Sequence, residues 1–393
     1  MSKGKVTEAI WYAGVEDRDI DLFESQYPVP EGVTYNSYVI LDEKIAVMDT
    51  VDVRRTAQWL ANVEEILDGR KPDYLVVSHM EPDHAGSIEA LAEKYPDMEI
   101  VGNAKTFVYM AQFFPGMKLE GRKVIVAEGT ELSLGEHTLK FVMAPMVHWP
   151  EVMVTYEEKE KVLFSADGFG RFGLFERTQN WEDLARRYYL NIVGKYGPQV
   201  QALLKKAAGL DIEKICPLHG EVLEGNLAPY LAKYQTWSSY QPEEKGVAIF
   251  YASVYGNTGK AAEYLAEKLK EAGEEIVVVT DLSRVDVSVA VERAFQYDRL
   301  VLASVTYDGG MFPPMETFLN HLKSKAFQNR TIALMENGTW APMAAKCMAQ
   351  SLETMKNICI LKPEDEKLSW VTIRSSMNEK NREELRQLAA ALR

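Results

Sequence analysis

Cysteine is scarce in this 393-residue chain: Cys216, Cys347 and Cys359 are all there is, and no two of them form a CxxC pair. Such usage argues against a disulfide framework or an iron–sulfur cluster and favours a reducing, cytoplasmic setting. Positive charge is also short. Lys plus Arg is 44 against 58 Asp plus Glu, a formal charge of −14, so neither nucleic acid nor an anionic membrane surface is an expected partner. The N-terminal stretch "MSKGKVTEAIWYAGVEDRD" lacks an apolar run of the length a signal peptide or membrane span needs. No tandem repeat or low-complexity tract is visible. A chain of this length holds two or three domains and a large core.

Two different patterns fill it. Up to about residue 235, short strands come in pairs: "TYNSYVILDEKIAVMDTV" reads as a hairpin turning at Asp42 to Lys44, and "EVMVTYEEKEKVLFSAD" as one turning at Glu157 to Glu160. Helical stretches such as "RTAQWLANVEEILDG" and "GPQVQALLKKAAG" lie among them, which suggests sheets sandwiched between helices. The polar, periodless "TWSSYQPEEKG" (236–246) reads as a linker. Beyond it, the apolar strands "VAIFYA", "EEIVVVTDL", "RLVLASV", "TIALMEN" and "NICIL" alternate with helices, the pattern of a doubly wound parallel sheet. The expected domains are 1–245 and 246–393.

The first half concentrates ligand-type side chains. "SHMEPDHAGS" packs His79, Glu81, Asp83 and His84 into six positions. Four such side chains this close do not share one helix face; they suit a loop between the strand "YLVVS" and the helix "AGSIEALAEKY". His148, Asp167 and His219 each follow a further strand. Singly, a His past a strand is more often a hydrogen-bonded loop residue, and Asp167 before Gly favours a turn. The ordered set HxExDH, then H, D and H, points to a metal centre. His137, assigned to a strand, and His321, assigned to a helix, read as surface or packing residues.

This half resembles the metallo-β-lactamase fold, an αββα sandwich whose loop usually reads HxHxDH and binds two zinc ions. Glu81 stands where the hydrolases carry His. Together with "TYNSY", "HWPEVM" and "LFSADGFG", that exchange makes the chain similar to flavodiiron proteins, and the resemblance covers almost its whole length. A carboxylate in place of an imidazole gives a mixed donor set that suits iron better than zinc. The resemblance implies that His79, Glu81 and His148 hold one iron, that Asp83, His84 and His219 hold the other, and that Asp167 bridges them; in some relatives water takes the place of His84. Trp149 is expected to wall the pocket and Asp49 to orient a ligand imidazole.

In the second half, "YASVYGNTGKAAEYL" sets strand, loop and helix in succession. Its loop, Ser253, Val254, Tyr255, Gly256, Asn257 and Thr258, offers hydroxyls and helix N–H groups to an anion. It ends in neither a Walker lysine nor a GxGxxG fingerprint, and it resembles the FMN loop of flavodoxins; the bland reading is a helix cap. "TYDGGMFPP", with Thr306, Tyr307, Asp308, Gly309 and Gly310, and "NGTWAP", with Asn337, Gly338, Thr339 and Trp340, follow parallel strands where such folds bind ligands. Tyr307 and Trp340 are expected to flank a flat ring. Compared with relatives, Val305 stands for a frequent Pro, Asp308 for a frequent Asn, and Glu336 opens a Glu-Asn-Gly-Thr-Trp run in place of Gly-Ser-Tyr-Gly-Trp. A carboxylate at 308 pointing at the ring lowers the flavin potential.

FMN and two irons in one chain imply an electron relay. The resemblance implies reduction of dioxygen to water, of nitric oxide to nitrous oxide, or both, with electrons from rubredoxin or another external donor. It also implies a head-to-tail homodimer, or a dimer of such dimers. Two rivals stay open at this point: a di-zinc hydrolase joined to a flavodoxin module, which metal analysis separates, and a flavin electron carrier with a structural metal site, which gas consumption separates.

Overall fold

The computed structural model describes residues 4–175, 180–361 and 370–393. By internal contacts the chain divides into Met1–Tyr189 with Pro198–Gln235, and Leu190–Gly197 with Thr236–Arg393.

The first unit carries two large sheets. One runs, edge to edge, through Gly4–Lys5, Ile10–Tyr12, Tyr38–Ile40, Ala46–Met48, Tyr74–Val76, Glu99–Gly102 and Lys123–Ile125. The other runs through Glu131–Ser133, Thr138–Met143, Met153–Glu157, Val162–Phe164, Lys214–Cys216 and Leu223–Glu224. Both hairpins read from the sequence are present as antiparallel pairs, with Tyr38 opposite Met48 and Thr155 opposite Phe164. Strand side chains alternate between faces. One face of each sheet therefore meets the other in a common core, where Ile40, Met48 and Val76 pack with Phe141, Met153, Phe164 and Cys216.

The remaining faces take helices. The strands Ala46–Met48, Tyr74–Val76, Glu99–Gly102 and Lys123–Ile125 are mutually parallel, so each must be reached by a crossover. Thr56–Leu67, Ile88–Lys94 and Ala104–Phe113 are those crossovers. In the first of them Trp59, Asn62, Val63 and Leu67 are the buried positions, a stripe at helical spacing. On the second sheet Val154, Leu163 and Ile215 alternate out of the common core toward the helix Gly197–Ala207. The result is an αββα sandwich.

The second unit is built on five parallel strands in the order Val277–Asp281, Glu244–Ala252, Tyr297–Tyr307, Arg330–Asn337, Ile358–Ile360. Numbered along the chain this is 2-1-3-4-5, the flavodoxin order. Val371–Ile373, a strand the sequence reading lacked, extends the Ile358–Ile360 edge by pairing parallel with Met335 to Asn337. Helices cover both faces. Val247, Ile249, Val301 and Ala303 pack against Leu265 and Leu269 of Asn257–Glu271 and Leu385 and Leu388 of Glu379–Ala391. From the other face Phe250 meets Phe318 of Pro313–Ser324, with ring centroids 4.7 Å apart. Burial on both faces explains why these strands read as unbroken apolar runs.

The segment 236–246 is more ordered than a linker without period. It contains the end of the helix Ala228–Ser238 and the start of the strand Glu244–Ala252.

Candidate functional site

Strand ends from both sheets of the sandwich deliver the metal-type ligands to one place. His79 follows Tyr74–Val76, and Asp83 and His84 sit on the helical turn Pro82–Ala85 rather than on an open loop. His148 lies between Thr138–Met143 and Met153–Glu157, Asp167 follows Val162–Phe164, and His219 follows Lys214–Cys216. The Pro82–Ala85 turn is pinned by Thr50, whose hydroxyl and N–H both donate to the His84 carbonyl, at 2.6 and 3.0 Å.

All seven residues named from the sequence converge, in two groups: His79, Glu81, His148 and Asp167, and Asp83, His84 and His219. In the first group His148 Nε2 lies 3.0 Å from Glu81 Oε2 and 3.2 Å from Asp167 Oδ2. His79 Nε2 lies 3.3 Å from Glu81 Oε2 and 3.4 Å from Asp167 Oδ2. In the second group His84 Nε2 and His219 Nε2 are each 3.3 Å from Asp83 Oδ2. Asp167 Oδ1 is 3.2 Å from His84 Nε2 and 3.8 Å from His219 Nε2. Donor atoms spaced like this surround points roughly 2 Å away, the length of a metal–nitrogen or metal–oxygen bond.

The donors fit a metal on a second count. Both oxygens of Asp83 and of Asp167, both ring nitrogens of His84, and Nε2 of His219 are buried without a hydrogen-bond partner. Buried polar atoms rarely stay unsatisfied, and seven together mark a place for cations. The ring orientations agree. His219 Nδ1 donates to the Thr34 carbonyl at 2.6 Å, which leaves Nε2 as the lone-pair nitrogen facing the cluster. His79 Nδ1 likewise faces Glu151 Oε1 at 2.8 Å.

The field at the cluster is strongly anionic. Burial, reinforced by Glu81 and Asp167, pushes the Asp83 carboxyl up to about 7. Burial and the field of Glu81 push Glu24 up to about 7 as well. Burial opposes charge on Asp167 and on His148. The imidazoles of His148 and His84, each 3.2 Å away, nevertheless hold Asp167 well below the usual carboxylate range, and Asp167 and Glu81 hold His148 up to about 9. Three carboxylates in so small a volume call for bound positive charge.

One neighbour behaves differently from expectation. Asp49 does not orient an imidazole: its Oδ1 accepts the backbone N–H of Ser78 at 2.7 Å and of His79 at 3.4 Å, fixing the strand exit. Burial raises its carboxyl to about 6. The orienting group is Glu151, three residues beyond His148 in "HWPEVM", where no motif marks it. Trp149 does wall the site, edge-on to His79 with ring centroids 5.3 Å apart. His137 lies just before a strand, buried, with Nδ1 2.8 Å from Asp42 Oδ2 and away from the cluster.

In the second unit, the carboxyl ends of the parallel strands frame a cleft of about 410 Å³. Ser253, Val254, Tyr255, Asn257, Thr258, Thr306, Tyr307, Asp308, Gly309, Asn337, Gly338, Thr339 and Trp340 line it. Of the expected residues, Gly256 and Gly310 do not; Gly256, at φ 85°, closes the turn by donating to Ser253 Oγ at 3.0 Å. Val305, Met343 and Ser375 line the cleft too, and Met343 and Ser375 had no sequence motif to announce them. Ser375 Oγ lies 2.9 Å from Thr339 Oγ1, and its N–H donates to Asn337 Oδ1 at 3.1 Å. Thr306 Oγ1 accepts the N–H groups of Met343 and Ala344, tying two loops together. Tyr255 and Trp340 are 92% and 77% exposed. Aromatic rings held at the lip of a cleft of this size, at the switch point of a 2-1-3-4-5 sheet, suit a flat cofactor.

A metal-binding αββα sandwich joined to a flavodoxin sheet defines a two-module redox protein. Residues 33–220 match the model of the ODP family beta lactamase, and residues 248–374 match that of the flavodoxin domain. The chain is 30% identical over 366 residues to the rubredoxin-oxygen oxidoreductase of Megalodesulfovibrio gigas, covering 90% of each chain. It is 29% identical over 368 residues to the nitric oxide reductase of Moorella thermoacetica, covering 91% of each. The solved flavodiiron protein of Giardia intestinalis superposes with a TM-score of 0.91 at 25% identity, over 100% of this chain and 96% of that one. The chain belongs to the flavodiiron protein family. It is an oxidoreductase with FMN and a non-haem di-iron centre as cofactors.

Proposed function

We propose that the chain reduces dioxygen to water, nitric oxide to nitrous oxide, or both, with electrons passed through FMN from rubredoxin or another external donor. The relatives' names support both gases. The observation that carries the reading is the position of Asp167, whose Oδ2 serves one ligand group and whose Oδ1 serves the other. On this reading His79, Glu81 and His148 hold one iron, Asp83, His84 and His219 hold the second, and Asp167 bridges them. Ser253 to Thr258, Thr306 to Gly310 and Asn337 to Trp340 hold FMN.

Bound FMN supplies exchange between pairs of electrons and single electrons, and the iron pair supplies redox-active coordination for a diatomic gas. The chain's own residues do the rest. Glu151 and the Thr34 carbonyl set the tautomers of His79 and His219 so that Nε2 faces the metals. Trp149 shields one side of His79 from solvent. Glu81, Asp83 and Asp167 would offset most of the charge of a bound ferrous pair, and their hard oxygens suit iron.

No helix among the described residues is long and apolar enough to cross a membrane. Together with the cysteine usage this supports a cytoplasmic protein. The working unit on this reading is a head-to-tail homodimer. The test is metal analysis joined to anaerobic stopped flow: about two irons per chain are expected, with rapid oxidation of the reduced protein by at least one gas. Protein from iron-replete cells that holds only zinc and consumes neither gas would defeat the proposal.

A further inference from the structure

Behind the metal cluster, on the outward face of the second sheet, lies a cavity of about 470 Å³. Its floor is Val154, Leu163 and Ile215, its roof is Leu203 and Leu204 of the helix Gly197–Ala207, and it opens to solvent along Ala208, Leu231, Ala232 and Gln235, the exposed residues of its lining. The few polar groups in the lining are engaged within the protein. Ser165 Oγ donates to the Gly168 carbonyl at 2.6 Å, Tyr234 Oη accepts the Phe169 N–H at 2.5 Å, and the Gln235 side chain bonds to that of Gln201 at 2.9 Å. A space lined like this offers water almost nothing. Apolar cavities of smaller size stay dry and take up benzene or xenon.

The position of the cavity gives that dryness a use. Val147 in its lining is the chain neighbour of His148, and Gly168 is the neighbour of Asp167. Phe169, two residues beyond Asp167, lines the same space and stacks on Tyr234 with ring centroids 4.1 Å apart. The cavity thus runs from solvent at Leu231 to the two loops that carry one ligand of the first group and the bridging carboxylate. The cluster's more accessible side is different in kind: there the Glu81 side chain, 15% exposed, meets solvent, suited to protons and charge.

We infer that this cavity is the entry route and reservoir for the apolar diatomic substrate, separate from the polar mouth of the metal site. The inference rests on the proposed gas reductase function. Dioxygen and nitric oxide lack charge and bind water weakly, so an apolar, dry space concentrates them relative to bulk water, while water and anions are excluded from the same path.

Two measurements test it. Crystals of the holoprotein pressurised with xenon should show xenon between Val154 and Leu204; an empty cavity, or a second copy's side chain seated in it, overturns the inference. This arm does not depend on turnover. In the second arm, reduced holoprotein is mixed with each gas at several concentrations. Leu204→Trp, which fills the space, should lower the bimolecular rate by about tenfold while steps that do not depend on gas concentration keep their rates. Leu231→Trp, at the exposed mouth where folding is not at stake, should lower it by a smaller factor, and Leu204→Ala should not lower it. Iron and FMN content should match wild type in all three. Unchanged gas dependence in both Trp variants overturns the route even where xenon binds. Wild-type protein that reacts with neither gas removes the proposed function itself, and the route with it, whereas failure of the variants alone removes only the route.

Discussion

Glu151 lies 2.8 Å from His79 Nδ1 with one carboxylate oxygen, and the same oxygen accepts the Met80 N–H at 2.9 Å. One side chain therefore sets both the tautomer of the His79 imidazole and the backbone that carries it. Burial would raise the Glu151 carboxyl, but the His79 hydrogen bond holds it below its ordinary value. Replacing it should loosen one iron selectively. Glu151→Ala is expected to weaken iron retention by roughly 10- to 100-fold against a chelator, and Glu151→Gln by less, since an amide oxygen still accepts from Nδ1–H. Equal loss in both variants, or in neither, would show that the contact does not tune the ligand.

Most of the scaffold was legible because it follows period and turn chemistry. The hairpins at Asp42 to Lys44 and at Glu157 to Glu160, and the parallel strands of the second half, are local patterns. The candidate metal cluster was legible because seven donor-type residues follow strands in order, and all seven converge in the fold. What escaped reading depends on distance in space. Asp49 was expected at a ring and serves two backbone N–H groups instead. The Thr34 carbonyl that orients His219 belongs to the main chain and leaves no trace in residue type. Ser375 joins the cofactor cleft only because Val371–Ile373 pairs beside Arg330–Asn337. The helical turn under Asp83 and His84 is four residues long, too short to show a period.

On the proposed reading Glu81 selects the metal. Glu81→His restores the hydrolase-type donor set and should shift occupancy toward zinc, read as the iron-to-zinc ratio of protein from the same medium. An unchanged ratio would mean that the carboxylate is not what selects iron.

Acid stability should depend on Asp17. Its buried carboxylate meets Arg55, stands 3.4 Å from Arg54 Nη2, and accepts the N–H groups of Asp19 and Ile20 at 3.1 and 3.2 Å. Burial would raise its pKa, yet these partners lower it. A carboxylate depressed in the folded state contributes stability that is fully present above its unfolded pKa and is lost as pH falls through the folded one. Asp17→Asn is therefore expected to cost about 2 kcal/mol at neutral pH. The difference between wild type and variant should shrink below about pH 4, measured by urea unfolding. A difference independent of pH would assign the effect to packing.

Asp308 lines the cofactor cleft at φ 48°, a left-handed conformation that Asn adopts readily. Asp308→Asn removes a negative charge from the flavin's surroundings without disturbing the turn. The FMN potential should rise by tens of millivolts, given that about 60 mV corresponds to 1.4 kcal/mol for one electron. Redox titration under anaerobic conditions measures it, and an unchanged potential would place the carboxylate away from the ring.

The proposed dimer makes the sharpest prediction, because it concerns which flavin serves which irons. A closed twofold arrangement places the cofactor cleft of each chain at the metal site of its partner and makes both contacts together. One variant, His148→Ala with Asp167→Ala, loses a ligand of the first group and the bridge but keeps its FMN cleft. A second, altered in the loop from Ser253 to Thr258, loses FMN but keeps its ligands. Each homodimer should be inactive. Random co-assembly makes about half of all dimers mixed, and each mixed dimer has one intact flavin–metal pair of the two in wild type, so about a quarter of wild-type activity should return. The pairing that works is the flavin of the metal-dead chain with the irons of the flavin-dead chain, and it exists only if electrons cross between subunits. If mixed dimers, verified by tag and mass, recover nothing, each flavin serves the irons of its own chain and the head-to-tail proposal falls.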